Sequence, residues 1–206
     1  LTESITSFDY FGQPLLFKDV HTYDAQGDNT LIESFALFNG AEIPSGKTEL
    51  KYANHQVTQE IAFVADGIGG FMAQSKIIYS YTAAGLLEQV RNYEWSLDAN
   101  DWAQTQSVTN GYDAVQRINS REKVLYNQDG TEQRDRSEFA YVEGENLAME
   151  SYYYWDIDAF FLNNRKFYYY SDGTLSDKEA DRNAQHLAVS PNPATDLARL
   201  NLEVPA

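Results

Sequence analysis

This sequence predicts an all-β protein: an antiparallel meander of about twelve strands built from ~29-residue two-strand repeats. Three observations carry that prediction. Tyr23, Tyr52 and Tyr81 are 29 residues apart, Tyr112 follows after 31, and Tyr141 and Tyr170 follow after 29 each. Most of these tyrosines open a Tyr-x-x-x-Gly turn or a close variant of it. No segment carries an apolar stripe of helical period, while Tyr, Phe and Trp make up 14% of residues. Aromatic side chains favour strands.

The repeat unit can be followed along the chain. Phe8-Asp-Tyr-Phe-Gly12 is a variant opening turn, and Tyr23-Asp-Ala-Gln-Gly27 is a full copy. Gly beside Asp, Asn or Gln supplies the positive φ that a reversal needs. Phe38-Asn-Gly-Ala-Glu-Ile43 marks the second reversal of its period. Tyr52-Ala-Asn-His-Gln56 keeps the tyrosine but loses the glycine, and Tyr81-Thr-Ala-Ala-Gly85 restores both. Leu86 to Trp95 then reads as a strand, Trp95-Ser-Leu-Asp-Ala-Asn-Asp-Trp102 as an Asp/Asn-rich reversal between rings, and Tyr126-Asn-Gln-Asp-Gly130 as a further Tyr-x-x-x-Gly copy. Tyr141-Val-Glu-Gly144 and Tyr170-Ser-Asp-Gly173 are one residue shorter, and Trp155-Asp-Ile-Asp-Ala-Phe160 resembles the Trp-flanked reversal. Short reversals force antiparallel neighbours.

Alternation along these strands is poor. Glu132, Arg134, Arg136 and Glu138 share one face of their strand, and Thr131, Gln133, Asp135 and Ser137 share the other. Burying unpaired charge costs several kcal/mol, on the order of 3–5 when a partner is missing. Such strands suit a single curved or twisted sheet with much of both faces wet, with an open barrel as the alternative. A sandwich or closed barrel needs a cleaner in/out pattern.

Composition narrows function more than it defines it. The formal charge of −16 opposes nucleic-acid phosphates and anionic lipid. There is no cysteine, which removes thiolate and disulfide chemistry. No stretch reaches the roughly 18 apolar residues of a membrane-spanning helix. The start at Leu1, without a basic-then-apolar leader, reads as a mature or trimmed segment. The expected organisation is a β-hairpin repeat domain over 1–175, a polar linker over 176–188 and the beginning of a truncated sorting domain over 189–206.

Candidate sites are few. His21, His55 and His186 stand in unrelated contexts, without metal-ligand spacing. Carboxylates concentrate in turns (Asp66, Asp98, Asp101, Asp129, Asp172), where backbone capping accounts for them. Asp98 and Asp101 are the pair to consider for weak calcium binding, though they lack the full ligand series of a calcium loop. No cofactor is expected, and no residue set argues for a reaction. Trp95, Trp102, Trp155, Tyr153 and Tyr168 are the candidate aromatic face for a glycan or a protein partner. The competing reading is a cross-strand ladder internal to the sheet.

The spacing Trp-x6-Trp followed by Tyr-x-x-x-Gly resembles the aromatic β-hairpin repeats of large secreted Bacteroidetes proteins. It is loosely similar to the tyrosine–aspartate repeats of bacterial surface and toxin-delivery proteins. Val189-Ser-Pro191-Asn192-Pro193, followed by Ala194-Thr-Asp and alternating Leu197, Leu200 and Leu202, resembles the opening of a type IX secretion C-terminal sorting domain. That resemblance implies export across the outer membrane of a Gram-negative bacterium, with the export machinery as partner of the complete sorting domain. The expected role is a non-enzymatic secreted or cell-surface module, a scaffold, spacer or adhesion surface. The alternatives are a glycan-binding module and a half-barrel carrying lipid or peptide.

Overall fold

The computed structural model describes residues 2–10, 13–142, 146–169, 188–190 and 199–201. Twelve strands form one sheet in strict chain order: β1 (Thr2–Tyr10), β2 (Gln13–Tyr23), β3 (Asn29–Phe38), β4 (Ala41–Ala53), β5 (Gln56–Ala65), β6 (Phe71–Tyr81), β7 (Leu87–Ser96), β8 (Asp101–Tyr112), β9 (Ile118–Tyr126), β10 (Glu132–Val142), β11 (Asn146–Asp156) and β12 (Ala159–Phe167). The sheet is an antiparallel meander and is not closed into a barrel: β1 and β12 are its two ends. No helix occurs among the described residues. Ala188–Ser190 and Arg199–Asn201, strands β13 and β14, pair as a separate two-stranded ladder. Pro191, Asn192, Pro193, Tyr170 and His186 lie outside the described residues.

The tyrosine period is the period of the hairpins. Tyr23, Tyr52, Tyr81, Tyr112 and Tyr141 each stand at or one residue before the end of an even-numbered strand. The register slips by one residue immediately before Tyr23, Tyr52, Tyr81 and Tyr141. A second slip falls before Phe35, Phe63, Tyr93 and Tyr153. Each slip is a β-bulge, an extra residue that leaves a backbone group short of a ladder partner. In three of these eight slips the extra residue is threonine, and its hydroxyl bonds a carbonyl of the adjoining strand. Thr30 donates to the Thr22 carbonyl at 3.4 Å, Thr58 to Lys51 at 3.2 Å and Thr105 to Asn92 at 3.4 Å. Two slips per period also scramble simple alternation, which is why the strands read poorly as in/out patterns.

Turn chemistry follows the sequence closely. In the turns at 24–28, 82–86, 113–117 and 127–131, the first residue accepts from the fourth and donates to the fifth residue's carbonyl. The fourth residue is left-handed: Gly27, Gly85 and Gly130, with Gln116 in the remaining copy at φ 69°. The first-residue side chain caps the loop. Asp24, Asp66 and Asp113 each accept two backbone N–H bonds through Oδ1. The glycine missing after Tyr52 is explained by a tighter loop. Asn54 and His55 form a two-residue reversal with φ of 52° and 62°, as Asn39-Gly40 do at 52° and 79°. Tyr126-Asn-Gln-Asp-Gly130, grouped by its sequence with the even-strand turns, instead follows the odd-numbered β9.

The chain divides into two compact units, Leu1–Thr109 with Val124–Gln133, and Asn110–Lys123 with Arg134–Ala206. In both, almost every described side chain is half-buried or exposed. Val124 is the only apolar residue among the described ones that is buried, beside the polar Ser107, Asn110 and Ser151. Cohesion therefore comes from ladder hydrogen bonds and cross-strand side-chain pairs, each worth about 0.2–1 kcal/mol.

Candidate functional site

The aromatic candidates are assembled by the second reversal of each repeat. In the first unit Trp95 and Trp102 face each other across β7 and β8. Their rings meet edge to face, 5.2 Å between centroids and 80° between planes. Edge-to-face geometry puts the positive rim of one ring on the negative face of the other. In the second unit Trp155 and Phe160 repeat the arrangement at 4.8 Å and 76°. Tyr153, two residues from Trp155 on β11, shares its face. Its hydroxyl donates to Glu138 Oε2 at 2.9 Å.

Tyr168 points the other way. Its hydroxyl donates to Glu150 Oε2 at 3.0 Å, and Glu150 alternates with Ser151 and Tyr153 along β11. On that opposite face Tyr154 stacks on Phe161 at 5.9 Å, and Lys166 lies 4.7 Å from the Tyr152 ring. So Trp155 and Tyr153 come together, Trp95 and Trp102 come together, and Tyr168 is separated from Trp155 and Tyr153 by the sheet itself. Burial is the first cause that raises the Tyr168 hydroxyl above its ordinary range, and the Glu150 bond is the second.

A feature absent from the sequence reading runs beside the rings. Lys18, Lys47 and Lys76 are spaced by 29, each five residues before a repeat tyrosine. Arg136 holds the same place before Tyr141, whereas Ser107 holds it before Tyr112. Each of these lysines lies directly across from a ring on the next strand: Phe35, Phe63 and Tyr93. Lys47 sits 4.5 Å from the Phe63 centroid and 5.6 Å from Phe71. Lys76 sits between Tyr93 at 4.6 Å and Trp102 at 4.7 Å. Arg136 faces Tyr153, with Phe160 at 5.8 Å, and Arg134 covers Trp155 at 5.4 Å. Cation–π attraction contributes about 0.5–1 kcal/mol at exposed sites. Where Ser107 replaces the cation, Arg91 stands opposite it on β7. The signal for this ladder was in the sequence, five residues from the tyrosines.

Acids neutralise part of the ladder. Lys18 pairs with Glu42 at 2.9 Å and Glu3 at 3.0 Å, and these bonds hold its ammonium above the usual lysine range. Lys47 pairs with Glu49 at 2.6 Å, and Arg136 with Glu138 at 2.8 Å. Lys76 makes no hydrogen bond or ion pair among the described residues, and desolvation between its two rings lowers its pKa. The rings of this face are thus engaged with one another and with cations, not laid flat toward solvent.

The even-strand turns are stitched to one another in the first unit. His55 Nδ1 lies 3.0 Å from Asp28 Oδ1, and Gln56 Nε2 donates to the Gly85 carbonyl at 2.8 Å, one period away. The Tyr81 hydroxyl donates to the Val57 carbonyl at 2.8 Å, and in the second unit Tyr141 does the same to Ile118 at 2.7 Å. Among the described residues no three His, Asp or Glu side chains converge as a metal set. Asp101 Oδ1 accepts the Trp102 N–H at 2.7 Å.

No family model matches the chain, and no curated protein matches it. Among solved structures it is similar to a protein of unknown function from Bacteroides fragilis, at 10% identity and a TM-score of 0.39, over 73% of this chain and 91% of that one. It is also similar to a DUF3836 family protein from Parabacteroides distasonis, at 13% identity and a TM-score of 0.34, over 44% of this chain and 86% of that one. The TcdB2-TccC3-TEV structure matches at 13% identity and a TM-score of 0.45, over 80% of this chain and 10% of that one.

Proposed function

We propose that the chain is a non-enzymatic β-repeat module, a scaffold or spacer that also presents an adhesion surface, carried by a protein exported to the outer surface of a Gram-negative bacterium. The observation that supports this reading is the self-sufficiency of the sheet. The rings around Trp95–Trp102 and Trp155–Phe160 are engaged by one another and by cations of neighbouring strands. The Tyr81, Tyr141, Tyr153 and Tyr168 hydroxyls bond to neighbouring strands, and only four described residues are buried. A chain built this way spends its side chains on spacing one hairpin from the next. The export half of the reading rests on Pro191, Asn192 and Pro193 with the leucine alternation after them, and the type IX machinery is the partner it implies.

The competing function is glycan binding. Sugar recognition by stacking needs a ring face open to solvent, and the edge-to-face Trp95–Trp102 pair under Lys76 offers little of that. A glycan array on the purified chain, with Trp95→Ala and Trp102→Ala beside it, separates the two. The scaffold reading expects no glycan above background. A glycan retained by the native chain and lost from both variants refutes it.

A further inference from the structure

Between β3 and β8, the turns that follow odd-numbered strands differ from those that follow even-numbered ones. In the first unit, three successive odd-strand reversals carry a large apolar residue at or beside the tip. These are Phe38, 63% exposed, Ile68 at 92% and Leu97 at 79%. Ile43, Val64, Phe71 and Met72 are exposed on the adjoining strand ends. The even-strand reversals of the same unit carry Ala25-Gln26, Asn54-His55 and Ala83-Ala84 instead. A meander places alternate reversals on opposite rims, so over the stretch from β3 to β8 the odd-strand rim is the more apolar one; the odd-strand reversal at 127–131, Asn127-Gln128-Asp129-Gly130, is polar. Contiguous apolar surface of this kind on a soluble protein marks an interaction site more often than it occurs by accident.

The second unit supplies an independent sign at the equivalent reversal. Ile157 is 90% exposed and left-handed, with φ 57°. A β-branched residue resists that conformation, which Asn or Gly adopts readily. Strain at an exposed tip with nothing to pack against points to a role outside the fold.

The chemistry of the first unit's rim selects among occupants. Residues 38–43, 64–72 and 94–102 include Glu42, Asp66, Glu94, Asp98 and Asp101, and no Lys, Arg or His. Lys18 from β2 pairs with Glu42 and Lys47 from β4 lies over Phe71, which leaves Asp66, Glu94, Asp98 and Asp101 as the excess acid of the rim. That excess repels anionic headgroups and also repels a second copy presenting the same rim. It attracts a basic surface. Between the reversals at 39–40 and 66–70 lies a notch of about 150 Å³, lined by Ile43, Pro44, Ala65, Phe71 and the loop glycines. A notch of that size accepts one side chain, as the anchor pockets of protein interfaces do.

We infer that this rim docks a protein partner presenting aliphatic side chains set among Lys or Arg. The inference rests on the scaffold reading and names the adhesion surface within it. A labelled peptide of alternating Leu and Lys, followed by fluorescence anisotropy on the full chain, is the probe; a Ser/Lys peptide is its control. The expected result is binding of the Leu/Lys peptide that falls about tenfold or more in Phe38→Ser/Ile68→Ser/Leu97→Ser. Val115→Ser, in the even-strand turn at 113–117, leaves binding unchanged, and Asp98→Asn weakens it and flattens its salt dependence. Circular dichroism verifies the fold, and Leu97→Ser alone repeats the test with the least disturbance. No binding by the native chain, or equal binding by the triple variant, overturns the inference. So does uptake by phosphatidylcholine vesicles that the triple variant loses, which assigns the rim to a bilayer, or a sedimenting dimer that it abolishes, which assigns it to a second copy. A glycan lost on Trp95→Ala with peptide binding intact counts against the scaffold reading alone.

Discussion

Replacing Gln116 by glycine should stabilise the protein. Gln116 occupies the left-handed fourth position of the 113–117 turn, at φ 69°, where Gly27, Gly85 and Gly130 stand in the other copies at 89°, 80° and 83°. The hydrogen-bond frame is the same: Asp113 N–H to the Arg117 carbonyl at 2.9 Å, and Gln116 N–H to the Asp113 carbonyl at 3.0 Å. Its side chain is exposed, so little packing is lost. A left-handed L-residue costs about 1–2 kcal/mol relative to its right-handed form. Glycine returns about 0.5–1 kcal/mol of that through greater unfolded-state freedom. The net gain for Gln116→Gly is then about 0.5–1 kcal/mol. The mirror change, Gly130→Gln, should lose a similar amount, because a Cβ there meets nothing within 4 Å and the cost is conformational only. Urea unfolding gives the global effect. Hydrogen exchange of the Asp113 and Gln116 amides gives the local one. A neutral or destabilising Gln116→Gly, together with an unaffected Gly130→Gln, refutes the idea that the left-handed position governs these turns.

Three further outcomes are expected. A double-mutant cycle on Trp95 and Trp102 should return a coupling of about 0.5–1.5 kcal/mol, and coupling near zero would mean the edge-to-face pair is not an energetic unit. Thr58→Val should cost about 0.5–1 kcal/mol, because it removes the hydroxyl bonded to the Lys51 carbonyl at the bulge; equal stability by urea melt would contradict that role. Stability should fall on both sides of a plateau. Backbone N–H bonds, those of Ile68 and Gly70 to Asp66 and that of Arg117 to Asp113, hold these carboxyls below the ordinary aspartate value of 3.8. Their contribution is present above that value and disappears as pH falls through the lower folded pKa. The Asp28 hydrogen bond raises His55 above 6.5, so its contribution is complete below that value and fades as pH rises through the higher folded pKa. Asp66→Asn should flatten the acid limb and His55→Gln the neutral one in melts taken across pH.

The fold could be read from spacing because Tyr23, Tyr52, Tyr81 and Tyr141 do a local job at a fixed place, closing an even strand just after a bulge. A side chain needed once per hairpin recurs at the hairpin's length. The paired tryptophans were legible for a similar reason, since rings flanking an Asp/Asn reversal must meet across two strands. Other features were hidden by the very devices that build the sheet. Bulges before Tyr23 and Phe35, and their counterparts, shift side-chain alternation twice per period, so faces could not be counted through from one strand to the next. Tyr168 joined a face on the strength of its residue type, although Glu150 holds it on the other side. The lysine ladder escaped notice because one rung moves from position 107 to Arg91 on the adjacent strand, which breaks a strict repeat while conserving the charge.

The bulge threonines have a consequence for how such a chain can change over time. Each mends its own irregularity with a carbonyl on the adjoining strand, so a hairpin carries its repairs with it. Duplication or deletion of one whole period would disturb only the seam where it happens. Length is then an adjustable property of the design, set by how many hairpins are laid side by side.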